Sequence, residues 1–202
     1  MKSLYVTDRA AIGEERLLRV LEALAGAPVS VELREKDAED RDVLRLAVAA
    51  RDRLGATVPL SVNRRFDIAL AAGAGGVHLP ADGLPLSRVR AHTPRGFRIG
   101  VSTHAAEEAS AAIAAGADVV VIGPIFDTPS KRSYGAPLGP SALEALPRAD
   151  SHACEVFAIG GIGEGNLDAL EPYRDRITGI AGIRIFQEAA APRAVAERIA
   201  SR

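Results

Sequence analysis

Short apolar runs alternate along the chain with longer stretches whose apolar residues stand three and four apart, the mark of strands alternating with helices. Leu4-Tyr5-Val6-Thr7 reads as a first strand ending in Asp8-Arg9, and Glu14–Leu24 as the helix that Gly26 stops. The cycle then repeats: strand Val29–Arg34 with helix Ala38–Leu54, strand Val58–Val62 with helix Phe66–Ala72, and strand Gly76–Leu79 with helix Leu86–Ala91. Strand Arg98–Val101 precedes the alanine-rich helix Ala105–Ala115, which ends at Gly116. Asp118–Ile122 contains an uninterrupted Val-Val-Val-Ile run of the kind covered on both faces, and a long loop, 123–139, separates it from helix Ser141–Leu146. Val156–Ile159 with helix Asn166–Leu170, then Ile177–Ala181 with helix Ile185–Ala200, complete eight units.

Strands alternating with helices through short connections predict a parallel sheet with right-handed crossovers. At eight units the natural closure is a single small (β/α)8 TIM barrel over residues 1–202, at the small end for that fold. A doubly wound open sheet is the alternative. It would be expected to carry a glycine fingerprint after the first strand, where this chain has Thr7-Asp8-Arg9.

Composition narrows the function classes. The 202 residues are 48% hydrophobic and 25% charged, ordinary for a globular domain. A net charge of −1 and 4% aromatic residues provide neither the basic footprint nor the stacking inventory of a nucleic-acid binder. Met1-Lys2-Ser3-Leu4 runs straight into a strand without a signal-peptide pattern, and no apolar stretch is long enough to span a membrane, so a cytoplasmic location is expected. The single cysteine, Cys154, begins a buried strand and reads as core rather than nucleophile. Many small barrels associate through their helices, so a homodimer is one assembly open to the chain, and the sequence does not fix the oligomeric state.

In such a barrel, chemistry sits where strands end. Period-two alternation turns Ser30, Glu32 and Arg34 inward and Val29, Val31 and Leu33 toward the helices, so Glu32 and Arg34 must pair with each other or with a ligand. Arg34, Lys36 and Lys131 bring cations to the mouth, and Asn63, Ser102, Thr128 and Ser130 bring hydrogen-bonding groups. After the seventh and eighth strands, Gly160-Gly161 and Gly182-Ile183 let the backbone approach a ligand and offer N–H groups to phosphate. A tight strand-to-helix turn would place glycines there too. His78 and His104 are candidates for proton transfer, against a satisfied core histidine at the first and a helix start at the second.

In this order the pieces Tyr5-Val6-Thr7-Asp8-Arg9, Leu33-Arg34-Glu35-Lys36, Val62-Asn63, Gly76-Val77-His78-Leu79 and Gly100-Val101-Ser102 form a recognisable series. Gly116-Ala117-Asp118, Gly123-Pro124-Ile125-Phe126-Asp127-Thr128 and Ile159-Gly160-Gly161-Ile162 continue it. The series resembles the superfamily of thiamine phosphate synthase and the thiazole tautomerase TenI over nearly the whole chain. The resemblance implies a phosphorylated thiazole as ligand. In the synthase, Mg²⁺ and pyrophosphate are held by the Arg-Glu-Lys motif, an Asn-Asp pair, an aspartate after the fourth strand and a Thr-x-Thr-Lys run. Here Arg34, Lys36, Asn63, Ser102, Thr128, Ser130 and Lys131 match or nearly match, whereas Arg64 replaces the aspartate of the pair, Gly83 the later one, and Glu32 the usual glutamine.

His78-Leu79-Pro80 resembles the TenI branch, which lacks the metal carboxylates, although that branch's catalytic histidine position holds Pro124. The leading expectation is therefore a TenI-like protein that binds a thiazole phosphate and isomerises it without a metal, with His78, His104 or Glu32 as base. Thiamine phosphate synthase, with Mg²⁺, is the first alternative. A catalytically silent binder of thiazole phosphate is the second.

Overall fold

The computed structural model of the protein describes residues 1–128 and 136–202. Its strands are β1 (Lys2–Val6), β2 (Ser30–Leu33), β3 (Leu60–Asn63), β4 (Gly76–Leu79), β5 (Arg98–Thr103), β6 (Val119–Ile122), β7 (Glu155–Ala158) and β8 (Gly179–Gly182). They pair in chain order, all parallel, and the sheet closes through Lys2↔Gly179 to Tyr5↔Gly182. The expected TIM barrel is thus the observed one. An open doubly wound sheet would leave β1 and β8 unpaired.

The α-helices are α1 (Arg9–Ile12), α2 (Glu14–Ala23), α3 (Asp40–Leu54), α4 (Phe66–Ala71), α5 (Leu86–Arg90), α6 (Ala106–Ala114), α7 (Arg184–Gln187) and α8 (Pro192–Ala200). Three departures from the expected elements have local causes. The segments after β6 and β7 form 3-10 helices, Pro140–Ala145 and Glu164–Tyr173, and the second contains Gly165 and Pro172, which do not suit an α-helix interior. The expected helix Ile185–Ala200 is two, because Pro192 occupies the start of α8 and lacks the N–H a continuing helix would need. One turn, α1, follows β1 directly and is capped by Asp8, whose Oδ1 accepts from the Ala11 N–H at 3.3 Å.

Alternation divides the apolar residues into two layers. Val31, Leu33, Val62, Val77, Ile99, Val120, Ile122, Val156 and Ile180 join the core under the helices, while Leu4, Val6, Val121, Phe157 and Ala181 form a separate cluster inside the barrel. The Val-Val-Val-Ile run is accordingly buried on both sides. That inner cluster comes from β1 and β6–β8 only. The inward positions of β2–β5 are Glu32, Asn63, His78 and Ser102, so the barrel has an apolar half and a polar half. Glu155 closes the bottom by pairing with Lys2 and Arg98. Among the described residues, no helix is long and apolar enough to cross a membrane.

Candidate active site

A cavity of about 510 Å³ opens at the C-terminal ends of the strands. Glu32, Arg34, Lys36, His78 and Ser102 line one side, and Val6, Val121, Ile159 and Ala181 the other, with Gly160, Gly161, Gly182 and Ile183 at the rim. One wall can hydrogen-bond and the other can cover a flat apolar ring. A more open groove of about 850 Å³ runs outside the β7 and β8 turns. It has no strand-end histidine or serine, and its Arg198 is already paired with Glu164, so the mouth is the better candidate for chemistry.

Inside the polar half, Glu32 is 3% exposed and accepts from Asn63 Nδ2 at 2.8 Å. Its other oxygen stands 3.8 Å from His78 Nδ1, near enough for charge to matter but too far for a hydrogen bond. Of the expected partners for Glu32, Arg34 gives way to these two neighbours, and Glu32 still lines the cavity. Arg34 lies one residue beyond the end of β2, so its side chain leaves the interior for the mouth. His78 is buried, with Nε2 2.8 Å from Ser102 Oγ. Its ring fits because Gly100 faces it: a Cβ there would come within 2.4 Å of His78 Nδ1. We expect Asn63→Leu to lower stability by about 1–3 kcal/mol, the effect of leaving a buried carboxylate without its donor, as read by urea denaturation. A change below about 0.5 kcal/mol would show that Glu32 does not depend on Asn63.

The glutamate of Arg34-Glu35-Lys36 holds the loops rather than the ligand. Thr7 Oγ1 donates to Glu35 Oε1, the Arg9 N–H donates to Oε2 at 2.8 Å, and Thr7 Oγ1 accepts from the Arg34 N–H at 2.9 Å. Burial, offset in part by these donors, raises the Glu35 carboxyl above its ordinary value. A raised carboxyl contributes stability that is complete below the unfolded-state value and is lost as pH rises through the folded-state value. Wild type should therefore lose stability relative to Glu35→Gln as pH rises from about 4 toward neutrality. A difference in unfolding free energy that is flat over that range would contradict the assignment.

Gly160 and Gly161 have φ of 99° and 64°. Added Cβ atoms would lie 2.5 Å from Pro124 Cβ and 2.6 Å from the Asp127 carbonyl oxygen, respectively. Their first reason to be glycine is therefore the close approach of the loop after β6, which is pinned by Ile125 N–H to Ile159 O at 2.8 Å and Phe126 N–H to Gly160 O at 2.9 Å. A structural demand thus accounts for these glycines, in keeping with the alternative of a tight turn. The cradle nonetheless exists: among the described residues, the N–H groups of Gly160, Gly161, Ile162 and Ile183 have no backbone acceptor. Asn166 shapes the turn by accepting from the Gly163 N–H at 2.9 Å and donating to Gly161 O at 2.8 Å.

The other candidates divide. His104 is exposed at the rim, with its ring on Gly123 O at 2.8 Å and its N–H on Glu108 at 2.7 Å, the geometry of a helix start. Thr128 lines the cavity, while Ser130 and Lys131 lie outside the described residues. Asn63 reaches the site only through Glu32, since it does not line the cavity. Cys154 is buried, its thiol pushed up to about 12, first by burial and then by Asp118 and Glu155, so it is no nucleophile. Sequence reasoning missed Gln187, which is 1% exposed and accepts from Tyr5 OH at 3.0 Å and from the Asp8 N–H at 2.7 Å. No motif marks it. Arg184, at the end of the eighth strand, lines the mouth beside the Gly182-Ile183 turn.

The fold is a closed (β/α)8 barrel whose mouth combines, among the described residues, cations without ion-pair partners, N–H groups without a backbone acceptor and an apolar wall. The family model described as thiamine monophosphate synthase, TMP-TENI, matches residues 4–186, and the chain belongs to that family. A Geobacter sulfurreducens protein named "Putative thiamine-phosphate synthase" is 46% identical over 190 residues, covering 91% of this chain and 84% of that one. Thiamine-phosphate synthase of Methanoculleus marisnigri is 39% identical, covering 98% and 95%. The structure of thiamine phosphate pyrophosphorylase from Pyrococcus furiosus superposes with a TM-score of 0.81 at 28% identity, covering 99% and 94%.

These names correct the leading expectation of a TenI-like tautomerase: the similar proteins carry the synthase name. Pro124, at the position of that branch's histidine, supplies no proton there.

The resemblance to the synthase also implies Mg²⁺, and the donor set does not fit it. Mg²⁺ is held through carboxylates together with phosphate oxygens. Arg64 and Gly83 stand where the synthase has its two carboxylates. Asp82, near the expected position, is bonded to Arg64 at 3.0 Å.

Proposed function

We propose that this chain is a thiamine phosphate synthase, joining hydroxymethylpyrimidine diphosphate to thiazole phosphate. What supports the reading is that one mouth carries two separate groups of donors suited to seat anions. Arg34 and Lys36 form the first, and the N–H groups around Gly160-Gly161 and Gly182-Ile183 the second, with β1 standing between β2 and β8. Joining a diphosphate to a phosphate requires two such seats.

In the step itself, the bond from the pyrimidine methylene carbon to the diphosphate oxygen breaks, and the oxygen leaves with the electron pair. The thiazole nitrogen supplies the pair for the new C–N bond. Cations at Arg34 and Lys36 stabilise the leaving oxyanion where its charge develops. The glycine turns fix the thiazole phosphate, so that the nitrogen is delivered to the carbon rather than arriving by chance. Val121, Ile159 and Ala181 cover the rings and exclude water, which would otherwise compete for the same carbon. Ser102, tied to His78, offers a hydroxyl on the polar side for the pyrimidine's ring or amino nitrogen.

Purified protein mixed with both substrates should form thiamine phosphate, read by chromatography, with chelator and with Mg²⁺ tried in parallel. No product under either condition would remove the reading.

A further inference from the structure

Lys36, after β2, has Arg34, Arg64 and Asp82 as its charged neighbours. Arg34 and Lys36 line the mouth, and neither side chain has an ion-pair partner among the described residues. Arg64 is the one described non-glycine residue with positive φ, 66°, and its N–H is fixed on His78 O at 2.7 Å. That backbone state is uncommon for a residue with a side chain. It aims the guanidinium at Asp82, with Nη2 3.0 Å from Oδ1, and the two side chains are 55% and 80% exposed. Lys36 senses the same group: its ammonium is held below its ordinary value by Arg34 first, then burial, then Arg64, with Asp82 acting the other way.

Around Lys36 three cations face the one carboxylate of Asp82, a local excess at the β2 and β3 ends of a mouth that Asp8, Glu32 and Glu188 also line. A multiply charged anion is drawn to that local excess. Exposed ion pairs are weak, so a diphosphate can take Arg64 from Asp82. Once taken, the planar guanidinium can hold two phosphate oxygens at once, which a lysine cannot. We propose that Arg64, drawn from Asp82 and acting with Arg34 and Lys36, is the counter-charge of the diphosphate leaving group in place of a divalent metal. Asp82 then holds Arg64 ready while the seat is empty. The identity of the anion rests on the synthase reading; the seat itself rests on the geometry.

Inorganic pyrophosphate is the probe, titrated calorimetrically into the full-length protein in chelator and again with excess Mg²⁺. Wild type should bind in chelator, and Mg²⁺ should not tighten binding. Arg64→Ala should weaken binding about tenfold or more, the effect of removing a charged donor. Asp82→Asn should tighten it, because Arg64 is released, and this variant leaves every cation in place. Arg64→Asp should bind pyrophosphate better with Mg²⁺ than without. Circular dichroism confirms that each variant is folded. A wild-type protein that binds pyrophosphate only with Mg²⁺, an Arg64→Ala variant with wild-type affinity, or weaker binding by Asp82→Asn would each overturn the proposal. If binding behaves as expected and no thiamine phosphate forms, the synthase reading fails and the seat stands. If product forms only with Mg²⁺, the synthase reading stands and the seat fails.

Discussion

Arg34→Ala should lower kcat/KM for thiamine phosphate formation by about 100-fold, the scale seen when one positioned donor to a developing oxyanion is removed. The side chain lines the mouth and has no partner among the described residues, so its removal leaves nothing in the fold unsatisfied. Its backbone stays fixed, because the Arg34 N–H is held by Thr7 Oγ1 at 2.9 Å and Thr7 is anchored by buried Glu35. The melting temperature should accordingly remain within about 2 °C of wild type, as for a surface substitution. Activity within threefold of wild type would take Arg34 out of the anion seat. A large fall in melting temperature would instead make it a structural residue.

Gly160→Ala is the larger effect on stability. With φ of 99° and a Cβ that would sit 2.5 Å from Pro124 Cβ, alanine must both strain its own backbone and displace the loop after β6. The two contributions together come to about 3 kcal/mol or more. Pro124 and Thr128 line the cavity, so the displaced loop should also cost activity. Gly163→Ala is the control: φ there is −150°, an extended conformation any residue adopts, and no atom lies within 4 Å of an added Cβ. It should change stability by no more than about 0.5 kcal/mol. Equal stability losses in the two variants, measured by urea denaturation, would contradict this account of the turn.

The barrel was legible because its signal is repeated. Gly76-Val77-His78-Leu79 is a strand at its expected bounds, and the doubly buried β6 follows from four consecutive branched residues. Alternation also placed Glu32 inside. What it could not supply was Glu32's partner, because closure and stagger decide which inward residues meet. Glu32 stands beside Ser61 in the register and takes its bond from Asn63, a step further along β3. The same holds for Gln187, which reaches β1 only because β8 returns to it.

Glycines were the weaker guide. Gly160 and Gly161 signal the close approach of a neighbouring loop as well as a phosphate cradle, and the sequence pattern is the same for both. Arg64 was visible as a departure from the synthase pattern, but its pairing with Asp82 and its position beside Lys36 depend on loop geometry that no periodicity encodes.

If one mouth seats two anions separately, thiazole phosphate titrated into the protein should find its own seat in the absence and in the presence of saturating inorganic pyrophosphate. Two seats predict one equivalent of thiazole phosphate bound in both cases, with affinities within a few-fold of each other and a complex containing both ligands. Competitive displacement of one ligand by the other would contradict separate seats.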